Sequence, residues 1–344
     1  MDFETALLKW YDQSKRVLPW RSDPTPYHVW LSEIMLQQTR VEAVKGYYAR
    51  FLATLPTIPD LANAPEETVL KLWEGLGYYS RARNLQKAAK VLVRDYQGIL
   101  PKDEKVLRTL PGIGSYTAAA IAAIAYQEKA IAMDGNLGRV YARLVGEKRV
   151  LSLPETKEAG RRYFEERLEN RPGDFNQALM DLGELACLPH GYPKCEACPF
   201  VSFCVAHQAH QEIAYPVLAP TKKKKQESMT VLLFSYQGRY AIRQRPSQGL
   251  LANLYEFPHK EGIDTKAKLQ EWLKQENIPY VSLKSLGRYT HIFTHLTWKM
   301  VGYEIVLEKE YPQDSWLYVT PEEMKENYAI PSAFRFYQDK ISKP

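Results

Sequence analysis

From Glu4 to about His207 apolar residues recur at three- and four-residue spacing, as in YHVWLSEIMLQQTRVEAVKGYYARFL and EETVLKLWEGLGYYSRARNLQKAAKVLVRDY. That is the period of helices with one buried face, and frequent prolines and glycines keep the helices short. Tyr215–Ser228, YPVLAPTKKKKQES, has two prolines, a run of lysines and no period, and reads as a linker. Beyond it the pattern changes. TVLLFSYQGRYAIRQR predicts two strands around a Gln-Gly turn, TKAKLQEWLKQE a helix, and THLTWKMVGYEIVL and SWLYVT further strands. The expected organisation is an all-α domain over residues 1–214, a linker at 215–228 and an α+β domain at 229–344.

With 344 residues, 45% hydrophobic and 25% charged, the chain can build two cores. The start, MDFETALLKWYDQ, carries acids where a signal peptide needs a basic region and an apolar core. The longest apolar run near the middle, Ala118 to Ala125, is far below the roughly 18 residues of a membrane span. A soluble, intracellular protein without a membrane partner is expected. The net charge of +6 does not by itself point to nucleic acid. Residues 1–218 hold 27 Lys and Arg against 26 Asp and Glu, and the remainder 19 against 14, four of the 19 being Lys222 to Lys225. Most of the excess is one lysine run, of the kind found in solvated linkers.

Three local features carry chemistry. In LPGIGSYTAAAIAA, Gly112 and Gly114 let backbone N–H groups approach a partner closely, and the helix that follows offers its positive end to a phosphate. Ile113 between them can pin the hairpin to a neighbouring helix, and a plain tight turn would look the same. In MDGNLGRVYARL, Asp134 stands where a helix begins, the position of an N-cap. In WLSEIMLQQT, the helical neighbours of Glu33 are Val29, Trp30, Leu36 and Gln37, mostly apolar. Burial there raises a carboxyl pKa toward neutrality and suits a general acid, while an arginine partner would make a structural ion pair. One protonated acid and one ionised carboxylate form the pair that cleaves a glycosidic bond through an oxocarbenium-like transition state.

All four cysteines, Cys187, Cys195, Cys198 and Cys204, lie in CLPHGYPKCEACPFVSFC with spacing C-x7-C-x2-C-x5-C. In a reducing compartment such a set is a metal site before it is a disulfide framework. Four thiolates suit a structural zinc or an iron–sulfur cluster, and spacing alone does not choose.

Together LPWR, WLSEIMLQQTRVE, WEGLGYYSRARNL, LPGIGSYTAAAI, MDGNLGRVYARL, FNQALMDLGELAC, the cysteine set, LLANLYEFP and HIFTHLTW resemble the MutY family of adenine DNA glycosylases, within the helix-hairpin-helix superfamily, over almost the whole chain. The resemblance implies a two-lobed, all-α helix-hairpin-helix glycosylase domain with a [4Fe-4S] loop at 187–204, and an α+β, Nudix-like C-terminal domain. Cluster rather than zinc thus follows from the resemblance. The family's first cysteine gap is usually six residues; LPHGYPK makes seven, and Gly191 with two prolines gives a loop that can absorb the extra one.

The implied activity is excision of adenine mispaired with 8-oxoguanine or guanine in double-stranded DNA, by a monomeric cytoplasmic enzyme of base excision repair acting on the chromosome. Glu33 would protonate adenine N7 and Asp134 would stabilise the sugar cation, electrostatically or as a short-lived covalent adduct until water arrives. The endonuclease III branch carries lysine where this chain has Tyr116; a phenol forms no Schiff base, so a monofunctional glycosylase is implied. Arg16, Trp20, Arg21, Leu36 and Gln177 match residues of the adenine pocket, and Gln38, Leu76 and Tyr78 match those that probe or wedge the duplex, with Gly112, Ile113 and Gly114 forming the DNA-binding hairpin. The rivals are a thymine-mismatch or endonuclease III-like glycosylase on the same fold, and a non-catalytic DNA-binding metal protein in which Glu33 is an ion-pair partner and Asp134 only a cap.

For the second domain the family implies 8-oxoguanine recognition by Phe293, Thr294 and His295. A working Nudix hydrolase needs an R-E-x-x-E-E helix to hold divalent cations. KAKLQEWLKQE offers only Glu271 and Glu276, not adjacent, so recognition without hydrolysis is expected.

Overall fold

Capping residues and prolines divide the N-terminal part of the chain into short helices. Asp2, Thr25, Thr57, Asp103 and Asp134 each cap a helix with a side-chain oxygen, and proline opens five others or the same ones at the first turn. The computed structural model describes residues 2–220, 224–311, 313 and 315–341; Lys222 and Lys223 of the expected linker lie outside them. The helices are α1 (Phe3–Ser14), α2 (Pro19–Ser22), α3 (Pro26–Leu36), α4 (Val41–Thr54), α5 (Ile58–Asn63), α6 (Glu66–Leu72), α7 (Ser80–Tyr96), α8 (Glu104–Leu107), α9 (Ser115–Tyr126), α10 (Gly135–Val145), α11 (Pro154–Glu165), α12 (Pro172–Leu185) and α13 (Val205–Gln208). Among the described residues no helix is long and apolar enough to cross a membrane.

Two compact units emerge, and their division differs from the expected one. Residues 1–64 and 84–221 form the first; residues 65–83 join 222–344 in the second, although the domain boundary was expected at 214. Hydrogen bonds explain the reassignment. Lys71 Nζ donates to the Tyr328 carbonyl (3.0 Å), Ile330 N–H to Glu74 (2.8 Å), Asn253 to Glu66 (2.6 Å) and Arg83 to the Ala252 carbonyl (2.7 Å).

In the first unit α9 packs against α3 and α12, and α10 against α12. Alanine suits α9 to that place: Ala118, Ala119, Ala120, Ala122 and Ala123 are all buried, so neighbouring helices can approach it closely. A second core joins Leu7 and Tyr11 of α1 to Val140, Leu144, Leu179, Leu182 and Phe200, with three of the cysteines packed against it.

The second unit is a mixed sheet in the order β3-β2-β1-β6-β5, with β4 beside β1 and β7 beside β2. Its strands are β1 (Lys225–Tyr236), β2 (Arg239–Gln244), β3 (Tyr255–Glu256), β4 (His259–Glu261), β5 (Tyr280–Ile292), β6 (Leu296–Leu307) and β7 (Trp316–Val319). β1 and β6 run parallel from Lys225↔Leu296 to Ser235↔Val306, and β1 and β2 form the expected hairpin. α14 (Lys266–Gln275) buries Leu269 and Leu273 on one face of the sheet. The opposite core takes Met324 of α15 (Pro321–Asn327), Phe334, and Tyr337 and Ile341 of α16 (Arg335–Ile341). β1 begins at Lys225 rather than after the expected linker end at 228, because Lys225–Ser228 pairs in register with Leu296–Lys299.

Candidate active site

Eight residues of α3, Tyr27 and Val29–Met35, are buried, and Glu33 is one of them at 6% exposure. Such a carboxylate requires a polar partner. It has one in Tyr116, in the first turn of α9, whose hydroxyl donates to Glu33 Oε2 at 2.7 Å. Burial pushes the Glu33 carboxyl up to about 7; the Tyr116 hydrogen bond opposes this, Asp134 adds to it and Arg21 opposes it. An acid poised near neutrality can both give and take a proton.

Asp134 is the N-cap of α10, its Oδ1 accepting from Leu137 N–H at 2.8 Å. The cap reading is therefore correct for its backbone role, and the same side chain lines a cavity of about 1080 Å³ with Glu33 and Tyr116. Burial pushes its carboxyl upward, while the N–H groups of Leu137 and Asn136 pull it back. Capping fixes the carboxylate in place, which an electrostatic role requires.

Arg16, Trp20, Arg21, Leu36 and Gln177 line the same cavity, as do Gln38, Gly112 and Gly114 at the hairpin side. Trp20 is buried, edge-on to Tyr48. Sequence reasoning missed the group that holds the arginines. Asp181 of α12, fully buried, accepts from Arg16 Nε (2.8 Å) and Arg21 Nη1 (2.7 Å), and Glu184 accepts from Arg16 Nη1 at 2.5 Å. Asp181 and Glu184 follow Gln177 at helical spacing of four and seven, the available clue.

In the hairpin Gly112 has φ +77°, and a Cβ there would sit 2.7 Å from Asn84 Cβ. Ile113 is buried as the expected pin, and nothing lies within 4 Å of a Cβ placed on Gly114. The backbone before α9 is thus open to a partner.

Leu76 and Tyr78 lie in the second unit and not with the cavity residues. Leu76 is buried; Tyr78 is exposed, at φ +48°, and its hydroxyl hydrogen-bonds the Thr294 hydroxyl. Phe293, Thr294 and His295 form the turn between β5 and β6 and line a cavity of about 520 Å³ with Tyr78, Leu250, Leu251 and Ser332. On α14 Glu271 stands alone and Glu276 caps the helix end, so no adjacent acidic pair forms.

The four cysteines are free thiols that converge on one small pocket with Val140, Leu144, Leu182 and Phe200. Arg143 Nη1 donates to Cys187 Sγ at 3.2 Å. Burial pushes Cys195 up to about 11 and Cys198 to about 12. Four sulfurs around an apolar pocket, beside a cation that offsets thiolate charge, fit a tetrathiolate metal group. His207 and Glu212, 2.6 Å apart, stand next to Cys195 as further potential ligands.

Comparison with known proteins agrees with this architecture. The family model of the HhH-GPD superfamily base excision DNA repair proteins matches residues 31–169, and the NUDIX domain model matches residues 229–339. Human adenine DNA glycosylase is 34% identical over 98% of this chain and 74% of its own length. A thermostable thymine-DNA glycosylase structure superimposes with TM-score 0.56 at 30% identity, covering 60% of this chain and 95% of its own. An endonuclease III–DNA complex shares the fold, with TM-score 0.52 at 21% identity over 61% of this chain and 99% of that one. The thymine enzyme covers 60% of this chain whereas the human adenine relative covers 98%, and the chain belongs to the adenine DNA glycosylase family.

Proposed function

We propose that the protein removes adenine opposite 8-oxoguanine or guanine in duplex DNA, as a monofunctional glycosylase of base excision repair. The observation that carries this is the convergence of Glu33, Tyr116 and Asp134 on one cavity, in a chain that matches adenine DNA glycosylase along nearly its whole length.

The adenine nucleotide leaves the stack and enters the cavity, an extrusion that costs a few kcal/mol. Trp20, Leu36, Gln177 and the Arg16–Arg21 pair surround the base, and the amides at Gly112, Ile113 and Gly114 hold a phosphate; Gln38, Leu76 and Tyr78 are assigned to contacts with the duplex. Glu33 gives its proton to N7. The C1′–N9 bond then breaks with its electron pair going to the base, and the ionised Asp134 stabilises the cationic sugar. Water adds at C1′ and returns its proton to the Glu33 carboxylate. General acid catalysis contributes about 10²- to 10⁴-fold, and a fixed charge in a water-poor site is often the larger effect. Tyr116 orients Glu33 and offers no amine for strand cleavage. Phe293, Thr294 and His295 read the 8-oxoguanine. Cys187, Cys195, Cys198 and Cys204 would hold a [4Fe-4S] cluster, whose contribution is to brace the loop that follows α12.

The test is base loss from duplexes carrying adenine opposite 8-oxoguanine, adenine opposite guanine and thymine opposite guanine, with alkali added afterwards and Asp134→Asn as control. Adenine loss that falls by at least about 100-fold in the mutant, with duplex affinity retained, is the expected outcome. Thymine loss instead would favour the thymine-mismatch reading, and a borohydride-trapped adduct at near-stoichiometric yield would refute monofunctional chemistry.

A further inference from the structure

The cavity contains a carboxylate that the mechanism above leaves unused. Glu184 stands in the last turn of α12, where the helix dipole favours a cation and disfavours an acid. Local propensity therefore does not account for it, and a tertiary partner does. Arg16 Nη1 donates to Glu184 Oε2 at 2.5 Å, while Arg16 Nε and Nη2 bind Asp181, which also takes Arg21 Nη1 and Nη2. Two guanidinium charges thus share one buried carboxylate. Without Glu184 the cluster of Arg16, Arg21 and Asp181, whose arginines line the cavity, would carry one surplus positive charge.

We propose that Glu184 is a positioning and charge-setting residue of the excision reaction, which cancels the charge of Arg16 and holds its guanidinium against Asp181 so that the sugar cation meets no uncompensated positive wall. The inference rests on the glycosylase function proposed above. Its geometry is local: Glu184 lines the same cavity as Glu33, Tyr116 and Asp134. It is also within electrical reach of Tyr116 and Asp134. Burial is the main force raising the Asp134 and Tyr116 pKa values, and the charge of Glu184 adds to both, with Arg139 acting against it on Asp134. At 39% side-chain exposure Glu184 is not a core residue, so substitution should leave the fold intact.

The experiment is single-turnover adenine excision from an adenine:8-oxoguanine duplex, with duplex affinity and Tm, for wild type, Glu184→Gln, Arg16→Gln and the double variant. Glu184→Gln keeps size and an acceptor for Arg16, so Tm and affinity should hold while the excision rate falls roughly tenfold. In the Arg16→Gln background there is no surplus charge to cancel, and adding Glu184→Gln should change the rate by less than about threefold. Full multiplication of the two losses would show that Glu184 acts independently of Arg16 and would overturn the proposal, as would an unchanged rate in Glu184→Gln. A rate loss that only tracks a fall in Tm would reduce Glu184 to a structural ion pair. Wild-type protein inactive on every duplex would remove the parent reading and this one together, an outcome separate from failure of the variants.

Discussion

Glu33 and Tyr116 show how one hydrogen bond sets a working pKa. Burial alone would push Glu33 further up, and the Tyr116 hydroxyl, bound to its charged form, restrains it at about 7. Asp134 and Arg21 are the charges that face the same carboxyl. Excision needs Glu33 protonated, so activity should fall as pH rises through its pKa. Tyr116→Phe removes a bond to the ionised form, which raises the pKa and moves the alkaline limb of the single-turnover rate profile upward by roughly one pH unit. A limb that stays put or moves down would contradict this placement of the proton. Glu33 was legible in sequence because an acid among Val29, Trp30 and Leu36 violates the pattern around it. Asp134 was legible only as a cap, and its second surrounding, the cavity it lines with Glu33 of α3 and Tyr116 of α9, is made by residues distant in sequence. Asp181 and Glu184 were not legible as arginine partners, since Arg16 precedes Asp181 by 165 positions and nothing local links them.

At the level of elements, the two glycines of the hairpin have different duties. Gly112 satisfies backbone conformation and close packing at once, whereas Gly114 has φ −86° and open space. Gly112→Ala should therefore lower stability by about 2–3 kcal/mol, a shift of several degrees in Tm, through left-handed strain and the Asn84 clash. Gly114→Ala should leave Tm unchanged and weaken duplex binding a few-fold by crowding the exposed amides. Thermal unfolding and a duplex titration of the two variants separate these effects; equal Tm values would count against the packing argument. Periodicity revealed β1, β2, β6, β7 and α14, each of which buries apolar residues in the sheet cores. It missed β5 as a distinct strand because YVSLKSLGRYTHI lies at the sheet edge, polar on much of both faces, with register shifts near Tyr280 and Ser285.

For the whole molecule, the cysteine pocket braces more than its own loop. Arg139 donates to the Cys187 carbonyl (2.8 Å) and to Asn136 (2.9 Å), two residues after Asp134, so the loop and the start of α10 share a hydrogen-bonded chain. Cys198→Ser should abolish absorbance near 400 nm and lower Tm by about 10 °C or more, with loss of excision following the loss of that support. Retained Tm without the absorbance would show that the fold does not depend on the metal group. The position of residues 65–83 has its own consequence for how the chain is made. Their partners, Ala252, Asn253, Tyr328 and Ile330, are synthesised 169 to 257 residues later, and at translation speeds of about 5–20 residues per second the wait is roughly 10 to 50 seconds. During that interval Lys71 and Glu74 can pair with each other, while the Tyr328 carbonyl and the Ile330 amide that they also bind are not yet made. The second unit therefore cannot close until translation has passed Ile330.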